Sequence, residues 1–179
     1  MEWILILTVL IIGFGPILWL RPSKKDRRLS AIRTAARGQD FIVQKGSLLK
    51  LNPDPTERVS AGGQSRFPIV ECMVYSRVSK TNIKMDKQRF RRPKDLDQYS
   101  GHSDLWVLDS DSAFSNQEFK VLPLISGVLA QFPEDILALE FEDVFIRLYW
   151  LEGKDATPET VIKLSGLLDQ VEEKIRVLR

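Results

Sequence analysis

The side chains that most often carry out chemistry in proteins are scarce in this sequence of 179 residues. It contains one cysteine, Cys72, and one histidine, His102. A single cysteine excludes an intrachain disulfide and a cysteine-based zinc site, and a single histidine excludes a His-pair metal site. Cys72 lies on the apolar side of an alternating segment, which predicts a core residue. His102 stands among serines and Asp104, but no nucleophile-elbow motif accompanies it, so we predict a loop histidine.

Acidic residues at alternate positions begin a second candidate motif. Asp109-Ser110-Asp111 matches the start of a calcium-binding loop, but position six is Phe114 instead of glycine and position twelve is Lys120 instead of glutamate. Phosphate-binding loops of the Walker and dinucleotide types are absent from the sequence. We therefore predict no catalytic, cofactor-binding or metal-ligating residue and no cofactor. A membrane-tethered enzyme of unknown reaction stays an alternative.

The N-terminal segment predicts a membrane anchor. Residues 3–20 form an 18-residue run in which Thr8 is the only polar side chain, and as a helix this run spans about 27 Å, close to the hydrocarbon thickness of a bilayer. A cleaved signal peptide is the competing interpretation. It is disfavoured because no Lys or Arg precedes the run and because large or charged residues follow it. We assign residues 1–20 to a transmembrane anchor.

A basic segment follows the predicted anchor. Residues 21–37 contain seven cations and one anion, so the positive-inside rule places the N-terminus outside and the rest of the chain in the cytoplasm. Ser23 as a cap and Gly38 as a terminator predict a juxtamembrane helix within residues 21–38. Its cations either bind anionic lipid headgroups or only set the topology. The candidate membrane-interface residues are Trp3, Trp19, Arg21, Lys24, Lys25, Arg27 and Arg28.

Three segments near this junction resemble a known family. They are LWLRPSKK at residues 18–25, the pair Arg27-Arg28, and GQDFIVQKG at residues 38–46. Together they are similar to the small single-pass accessory subunit of the bacterial preprotein translocase, the YajC-like family, over about 35 residues. This chain departs from the family pattern because Ser47 follows Gly46 and because the remaining chain is much longer. The resemblance implies the topology and a bacterial inner-membrane location, and it implies no catalytic residues.

The remaining residues, 39–179, predict one cytoplasmic α+β domain with a mostly antiparallel sheet and helices packed on one face. Alternating apolar residues predict strands within residues 41–51, 67–78 and 105–108, and a hairpin formed by residues 136–141 and 144–151. Helices are predicted at residues 118–132 and 156–178, the latter with Thr157 as its cap and Pro158 at its first position. Residues 52–66 predict a loop, since they are rich in Pro, Gly and Ser.

The charges are distributed unevenly along the chain. Residues 77–94 contain eight cations and one anion, whereas residues 95–179 contain seven cations and seventeen anions. The basic segment is interpreted as a solvated loop that faces the acidic half of the same chain. The alternatives are that the segment contacts lipid or that it contacts nucleic acid, and no nucleic-acid-binding motif supports contact with nucleic acid. The candidate anion contacts are Lys84, Lys87, Arg89, Arg91, Arg92 and Lys94.

The predicted hairpin also has apolar residues on both faces of its second strand. Phe145, Tyr149 and Leu151 lie opposite Ile146, Leu148 and Trp150. A helical seam from Val161 to Leu178 should cover one face, and an uncovered second face would mark an interaction site. Phe145, Tyr149 and Leu151 are therefore the candidate partner surface.

The sequence as a whole favours a non-catalytic, single-pass protein-interaction module that is an accessory of an inner-membrane complex. The expected partner is another membrane or cytoplasmic protein, and self-association is an alternative.

Overall fold

The computed structural model describes residues 3, 22–51, 53–81, 85–92, 106–109 and 118–177. The described residues form three helices, six strands and one 3-10 turn. In order, the elements are α1 (Lys24–Arg37), β1 (Ile42–Leu49), a 3-10 turn (Pro55–Arg58), β2 (Ile69–Val78), β3 (Met85–Arg91), β4 (Val107–Leu108), α2 (Glu118–Leu129), β5 (Ile136–Asp143), β6 (Phe145–Trp150) and α3 (Pro158–Arg176).

The six strands form one sheet in the order β1-β2-β6-β5-β3-β4. Every neighbouring pair is antiparallel. The β5–β6 hairpin lies at the centre, and Asp143 takes a left-handed φ of 53° at its turn. Because β1 is the first strand in the order, it pairs only with β2 among the described strands.

The sheet is strongly curved. Arg91 on β3 donates a hydrogen bond to the backbone carbonyl of Leu49 at the end of β1. These two strands are four strand spacings apart in the sheet order, which is roughly 19 Å in a flat sheet. An arginine side chain cannot cover that distance, so the sheet must curl toward the face that carries Arg91. We call this side the concave face, and the opposite side the helical face.

Local signals position the helices. Ser23 and Asp26 form a capping box at the start of α1, with the Ser23 side chain accepting from the Asp26 backbone N–H at 3.1 Å. Thr157 accepts in the same way from the Thr160 backbone N–H at the start of α3, and Pro158 occupies its first position. These bonds satisfy backbone donors that a helix end otherwise leaves without partners.

The main core lies between the sheet and all three helices. Apolar side chains of α1, α2 and α3 share one buried cluster with the helical face of the central strands, including Ile32, Ala36, Ile125, Leu164, Leu168, Tyr75, Leu148 and Trp150. A smaller cluster lies on the concave face and consists of Leu48, Cys72, Val74, Leu137, Ala138 and Tyr149. Helix α1 is thus an integral part of the packed domain, since Ile32 and Ala36 are fully buried.

The predicted fold class combined an N-terminal transmembrane helix with an α+β domain, and the structure corrects the transmembrane part. The described residues form an α+β fold with a six-stranded antiparallel sheet and three helices. None of the helices in the described ranges is long and apolar enough to cross a bilayer. Helix α2 is apolar but has only 12 residues, about 18 Å, and α3 has 19 residues but alternates charged with apolar positions. The predicted anchor falls on residues 1–20, which, apart from Trp3, lie outside the described residues.

Strand β3 was not predicted from the sequence. Its residues, Met85–Arg91, were interpreted as part of a solvated basic loop, but they pair with both β5 and β4. The alternation of Arg89 and Arg91 with Phe90 is a strand pattern in which the cations occupy one face and the phenylalanine the other. Phe90 is fully buried on the helical face. The cations are tolerated because carboxylates of the neighbouring strands meet them on the concave face.

Candidate functional site: an apolar strand-end patch and a basic groove

Four large apolar side chains project from the end of the β1–β2 ribbon. Leu49 and Ile69 are cross-strand partners on the helical side, and extending the register by two residues places Leu51 opposite Phe67. The exposed fractions are 81% for Phe67, 54% for Ile69, 47% for Leu49 and 38% for Leu51. We call these residues the strand-end patch. Apolar side chains clustered at this exposure on one face are typical of an interaction site.

The strand-end patch is exposed because the ribbon extends past the helices. Tyr75 and Met73 on the same face of β2 pack in the main core, whereas Glu71, two residues nearer the patch, is already exposed. Polar contacts hold the adjoining loop next to the patch. Lys50 pairs with Glu57, and the Arg66 guanidinium donates to the Glu57 carbonyl at 2.6 Å. The patch therefore has an ordered polar border.

A basic groove lies beside the first turn of α1. Its volume is about 630 Å³, and it runs between α1 and the loop that joins β6 to α3. Lys24, Lys25 and Arg28 contribute cations from the helix, and Lys154 contributes one from the loop. Leu29 and Leu151 supply apolar surface within the groove. We call this feature the basic groove.

Arg28 fixes the two walls of the basic groove to each other. Its guanidinium donates to the backbone carbonyls of Gly153 and Lys154, and to that of Ala156 at 3.3 Å. Glu152 also lines the groove but is committed elsewhere, because Arg33 binds both of its carboxylate oxygens and the Tyr75 hydroxyl donates to it at 2.5 Å. Burial, followed by this hydrogen bond, raises the pKa of Tyr75 far above its ordinary value.

Ion pairs cross the concave face in a row. Glu140 of β5 is buried, and its carboxylate accepts from Arg147 of β6 at 2.7 Å and from Arg89 of β3 at 2.5 Å. The Tyr149 hydroxyl donates to the same carboxylate at 3.2 Å. On the other side of β3, Asp109 lies 3.5 Å from both Arg89 and Arg91. The row joins β6, β5, β3 and the residue after β4 by charge-assisted bonds.

The predicted anion contacts are distributed through this framework. Arg89 and Arg91 lie in the row of ion pairs, and Arg92 donates to the carbonyls of Phe132 and Pro133 at 3.0 and 2.8 Å while its guanidinium stacks on Trp106. Lys87 is exposed and lies 3.9 Å from Glu142. Lys84 and Lys94 lie outside the described residues. The described part of the basic segment therefore faces carboxylates of the acidic half of the chain, and most of it lies in β2 and β3 instead of a loop.

The predicted partner surface is divided between exposed and buried positions. Phe145, Tyr149 and Leu151 all lie on the concave side, but Tyr149 is only 8% exposed and belongs to the smaller core cluster. Leu151 packs against that cluster and lines the basic groove. Phe145 is 36% exposed, with the Arg147 guanidinium over its ring. The curvature of the sheet accounts for the burial of Tyr149, because it brings β1 and β3 side chains around it.

The candidate membrane-interface residues are surface residues wherever they are described. Trp3, Lys24, Lys25 and Arg27 are exposed and Arg28 is half-buried, while Trp19 and Arg21 lie outside the described residues. The predicted headgroup-binding helix therefore has Lys24, Lys25 and Arg27 at the surface, whereas Arg28 is bound to loop carbonyls.

The cysteine thiol is buried, and the described residues contain no metal-ligand cluster. Cys72 is buried on the concave face, and burial raises the pKa of its thiol, so the reactive thiolate is disfavoured. Within the described ranges, no three His, Cys, Asp or Glu side chains are placed to hold a metal ion. His102, Asp111 and Lys120 fall where side chains are not described.

Sequence reasoning missed the strand-end patch. A usable signal was present, since Leu49, Leu51, Phe67 and Ile69 flank the Pro- and Gly-rich segment symmetrically, as the two sides of a long ribbon do. It also missed the contribution of Lys154 and Leu151 to the basic groove. That contribution depends on Arg28 reaching a loop 125 residues later, for which the sequence contains no local signal.

Comparisons with known proteins show no family. No family model matches the chain, and no curated protein matches it. Among solved structures, the mycobacterial trehalose monomycolate transport factor A, TtfA, is similar with a TM-score of 0.42 and 10% sequence identity, covering 81% of this chain and 94% of that chain. Similarity at this level supports no conclusion about function. The resemblance to the translocase accessory subunit stays a prediction.

Proposed function

We propose that this chain is a non-catalytic protein-interaction module that binds its partner through the strand-end patch. The supporting observation is the exposure of Leu49, Leu51, Phe67 and Ile69 on one face of the β1–β2 ribbon. Aromatic and aliphatic side chains of this kind are the residues that contribute most to binding when a partner desolvates them. The partner is another membrane or cytoplasmic protein. The role as an accessory of an inner-membrane complex, and the inner-membrane location itself, stay predictions.

The distribution of charge supports this proposal over the alternatives. A lipid- or nucleic-acid-binding adaptor using residues 77–94 would need free cations, but Arg77 is buried against α3 and Arg89 and Arg91 are held by carboxylates. An enzyme would need a pocket with convergent polar groups. The basic groove instead has surface lysines at an open mouth, and its one carboxylate is occupied.

Site-specific photocrosslinking in living cells tests the proposal. A photoreactive phenylalanine analogue placed at Phe67 in the full-length chain should form one discrete adduct with a second protein. The same analogue at Ile162, an exposed apolar position on α3, is the control and should form none. An adduct of twice the chain's own mass would assign the surface to self-association. Adducts with lipid alone, or equal adducts at both positions, would contradict a protein partner at this patch.

A charge-neutral double substitution provides a second readout. Phe67→Glu with Ile69→Lys should weaken partner binding at least tenfold, since each removes an exposed apolar contact. The matched control is Ile162→Glu with Val177→Lys, which changes two similarly exposed apolar side chains, one on α3 and one directly after it. Thermal melts of both variants should stay close to that of the unmodified protein. Equal loss of binding in both pairs would show that the effect is not specific to the patch.

A further inference from the structure

We infer that the basic groove binds an anionic phospholipid. Its phosphate would lie among the lysines, and the part of an acyl chain nearest the headgroup would cover Leu29 and Leu151. The residues that carry this inference come from two separate elements. Lys24 and Lys25 begin α1, whereas Lys154 lies in the loop before α3. The site is distinct from the strand-end patch and does not depend on the proposed function.

The cations of the basic groove are available to a ligand. No ion pair of the described residues includes Lys24, Lys25 or Lys154, whereas Arg33, Arg77, Arg89, Arg91 and Arg147 all have carboxylate partners. Asp26, in the same helical turn, is bound to the Ser23 hydroxyl at 2.6 Å, and this hydrogen bond lowers the pKa of its carboxyl. The Asp26 carboxylate is therefore ionised and offsets part of the charge of Lys25, but the groove keeps an excess of positive charge from Lys24, Arg28 and Lys154.

The single carboxylate that lines the basic groove does not oppose an anion. Both oxygens of Glu152 accept from the Arg33 guanidinium, at 3.1 and 2.7 Å, and its side chain is only 4% exposed. Its charge is balanced by that pair before any ligand arrives. Arg28 adds a fourth positive charge, and its hydrogen bonds to three loop carbonyls keep Lys154 in place near the helix.

The size and chemistry of the groove select an amphiphile over a simple anion. Its volume of about 630 Å³ is several times that needed for a phosphate ion. Leu29 and Leu151 form apolar surface between the cations, which a phosphate or glycerol headgroup alone would leave in contact with water. An acyl chain would cover this surface while the lysines contact the phosphate.

Native mass spectrometry of the full-length protein tests the inference. The probes are dioctanoyl phosphatidylglycerol, its zwitterionic phosphatidylcholine counterpart, and glycerol 3-phosphate, which has the phosphate but no acyl chain. We expect retention of phosphatidylglycerol at concentrations where phosphatidylcholine and glycerol 3-phosphate are lost. Equal retention of phosphatidylcholine would overturn the role of the lysines, and equal retention of glycerol 3-phosphate would assign the groove to a soluble phosphate ligand and overturn the lipid assignment.

Substitutions locate the binding. Lys25→Gln with Lys154→Gln should weaken phosphatidylglycerol binding about thirtyfold, because each lysine near an anionic lipid contributes about fivefold. The control pair Lys163→Gln with Lys174→Gln removes the same charge from exposed positions on α3 and should leave binding unchanged. Lys25→Arg with Lys154→Arg should retain binding because the positive charge is kept, and an unchanged thermal melt of the glutamine pair shows that its loss of binding is not a folding defect. Equal weakening by the control pair would overturn the inference.

Discussion

Replacement of Glu172 on α3 by leucine should lower the free energy of unfolding by about 3 kcal/mol, the low end of the cost of breaking a buried ion pair, because Arg77 keeps Asp169 as a second partner. Arg77 extends from β2 toward α3, and its guanidinium donates to Glu172 at 2.8 Å, to Asp169 at 2.6 Å and to the Ser165 hydroxyl at 3.0 Å. The Arg77 and Glu172 side chains are each only 1% exposed.

The second carboxylate oxygen of Glu172 adds to this cost. It accepts from the Ser79 hydroxyl at 2.9 Å and from the Thr81 backbone N–H at 3.1 Å. Glu172→Leu therefore leaves the Arg77 charge and two polar groups without this partner. For an unfolding slope of about 2 kcal/mol per molar urea, the midpoint should fall by about 1.5 M.

Urea unfolding followed by tryptophan fluorescence measures this effect. A double-mutant cycle separates the pair from its surroundings: Arg77→Met with Glu172→Leu should be more stable than Glu172→Leu alone, because the buried charge is removed with its partner. A coupling of about 2 kcal/mol is expected. If the two substitutions are additive, or if Glu172→Leu shifts the midpoint by less than about 0.5 M, the Arg77–Glu172 pair does not hold β2 to α3.

Three further predictions concern the concave face, tyrosine ionisation and the β1–β2 ribbon. Tyr149→Asp should lower the free energy of unfolding by about 3 kcal/mol, because it puts a carboxylate beside Glu140 in a buried cluster; a melt within 2 °C of the unmodified protein would contradict this. Burial, and then the charge of Glu140, raise the pKa of Tyr149 above that of an exposed tyrosine. The neutral phenol therefore stabilises the folded state below about pH 10, and this contribution is lost as the pH rises through the raised pKa. Absorbance at 295 nm should therefore show Tyr149→Phe losing one late-ionising phenol, and an unchanged titration curve would count against it. Gly46→Ala should lower the free energy of unfolding by about 1–3 kcal/mol, because the added methyl would overlap the Val74 side chain. The control Gly166→Ala on α3 places its methyl where no atom lies within 4 Å, so it should be neutral or stabilising. Equal melting temperatures for the two variants would refute the packing argument.

Elements with local signals were predictable from the sequence. The cap at Thr157 and the proline at position 158 indicated the start of α3, and the apolar spacing of Leu29, Ile32 and Ala36 indicated the buried side of α1. The β5–β6 hairpin followed from two alternating segments separated by a short polar turn. In each case the signal lies within a few residues of the element that it specifies.

The candidate surfaces were less predictable. Tyr149 was expected on an exposed face, since alternation places it opposite Leu148, but alternation does not say whether a face is open to solvent. The curl of the sheet, seen in the bond from Arg91 to the Leu49 carbonyl, buries Tyr149. The strand-end patch is the opposite case, because Ile69 shares a face with the buried Tyr75 and lies beyond the reach of the helices.

The sequence by itself determined the lengths and types of most elements, and the concentration of positive charge in residues 21–37 and 77–94. The tertiary structure decided which of those charges are available. Arg89 meets Glu140 across 51 residues and Arg77 meets Glu172 across 95, so both guanidiniums are committed within the domain. Lys25 and Lys154 line one groove, and neither forms an ion pair with a described carboxylate, because the Glu152 carboxylate in that groove is bound by Arg33. The physical reason is that caps and periodicity act over a few residues, whereas charge pairing depends on distances that exist only after the sheet has curled and the helices have packed.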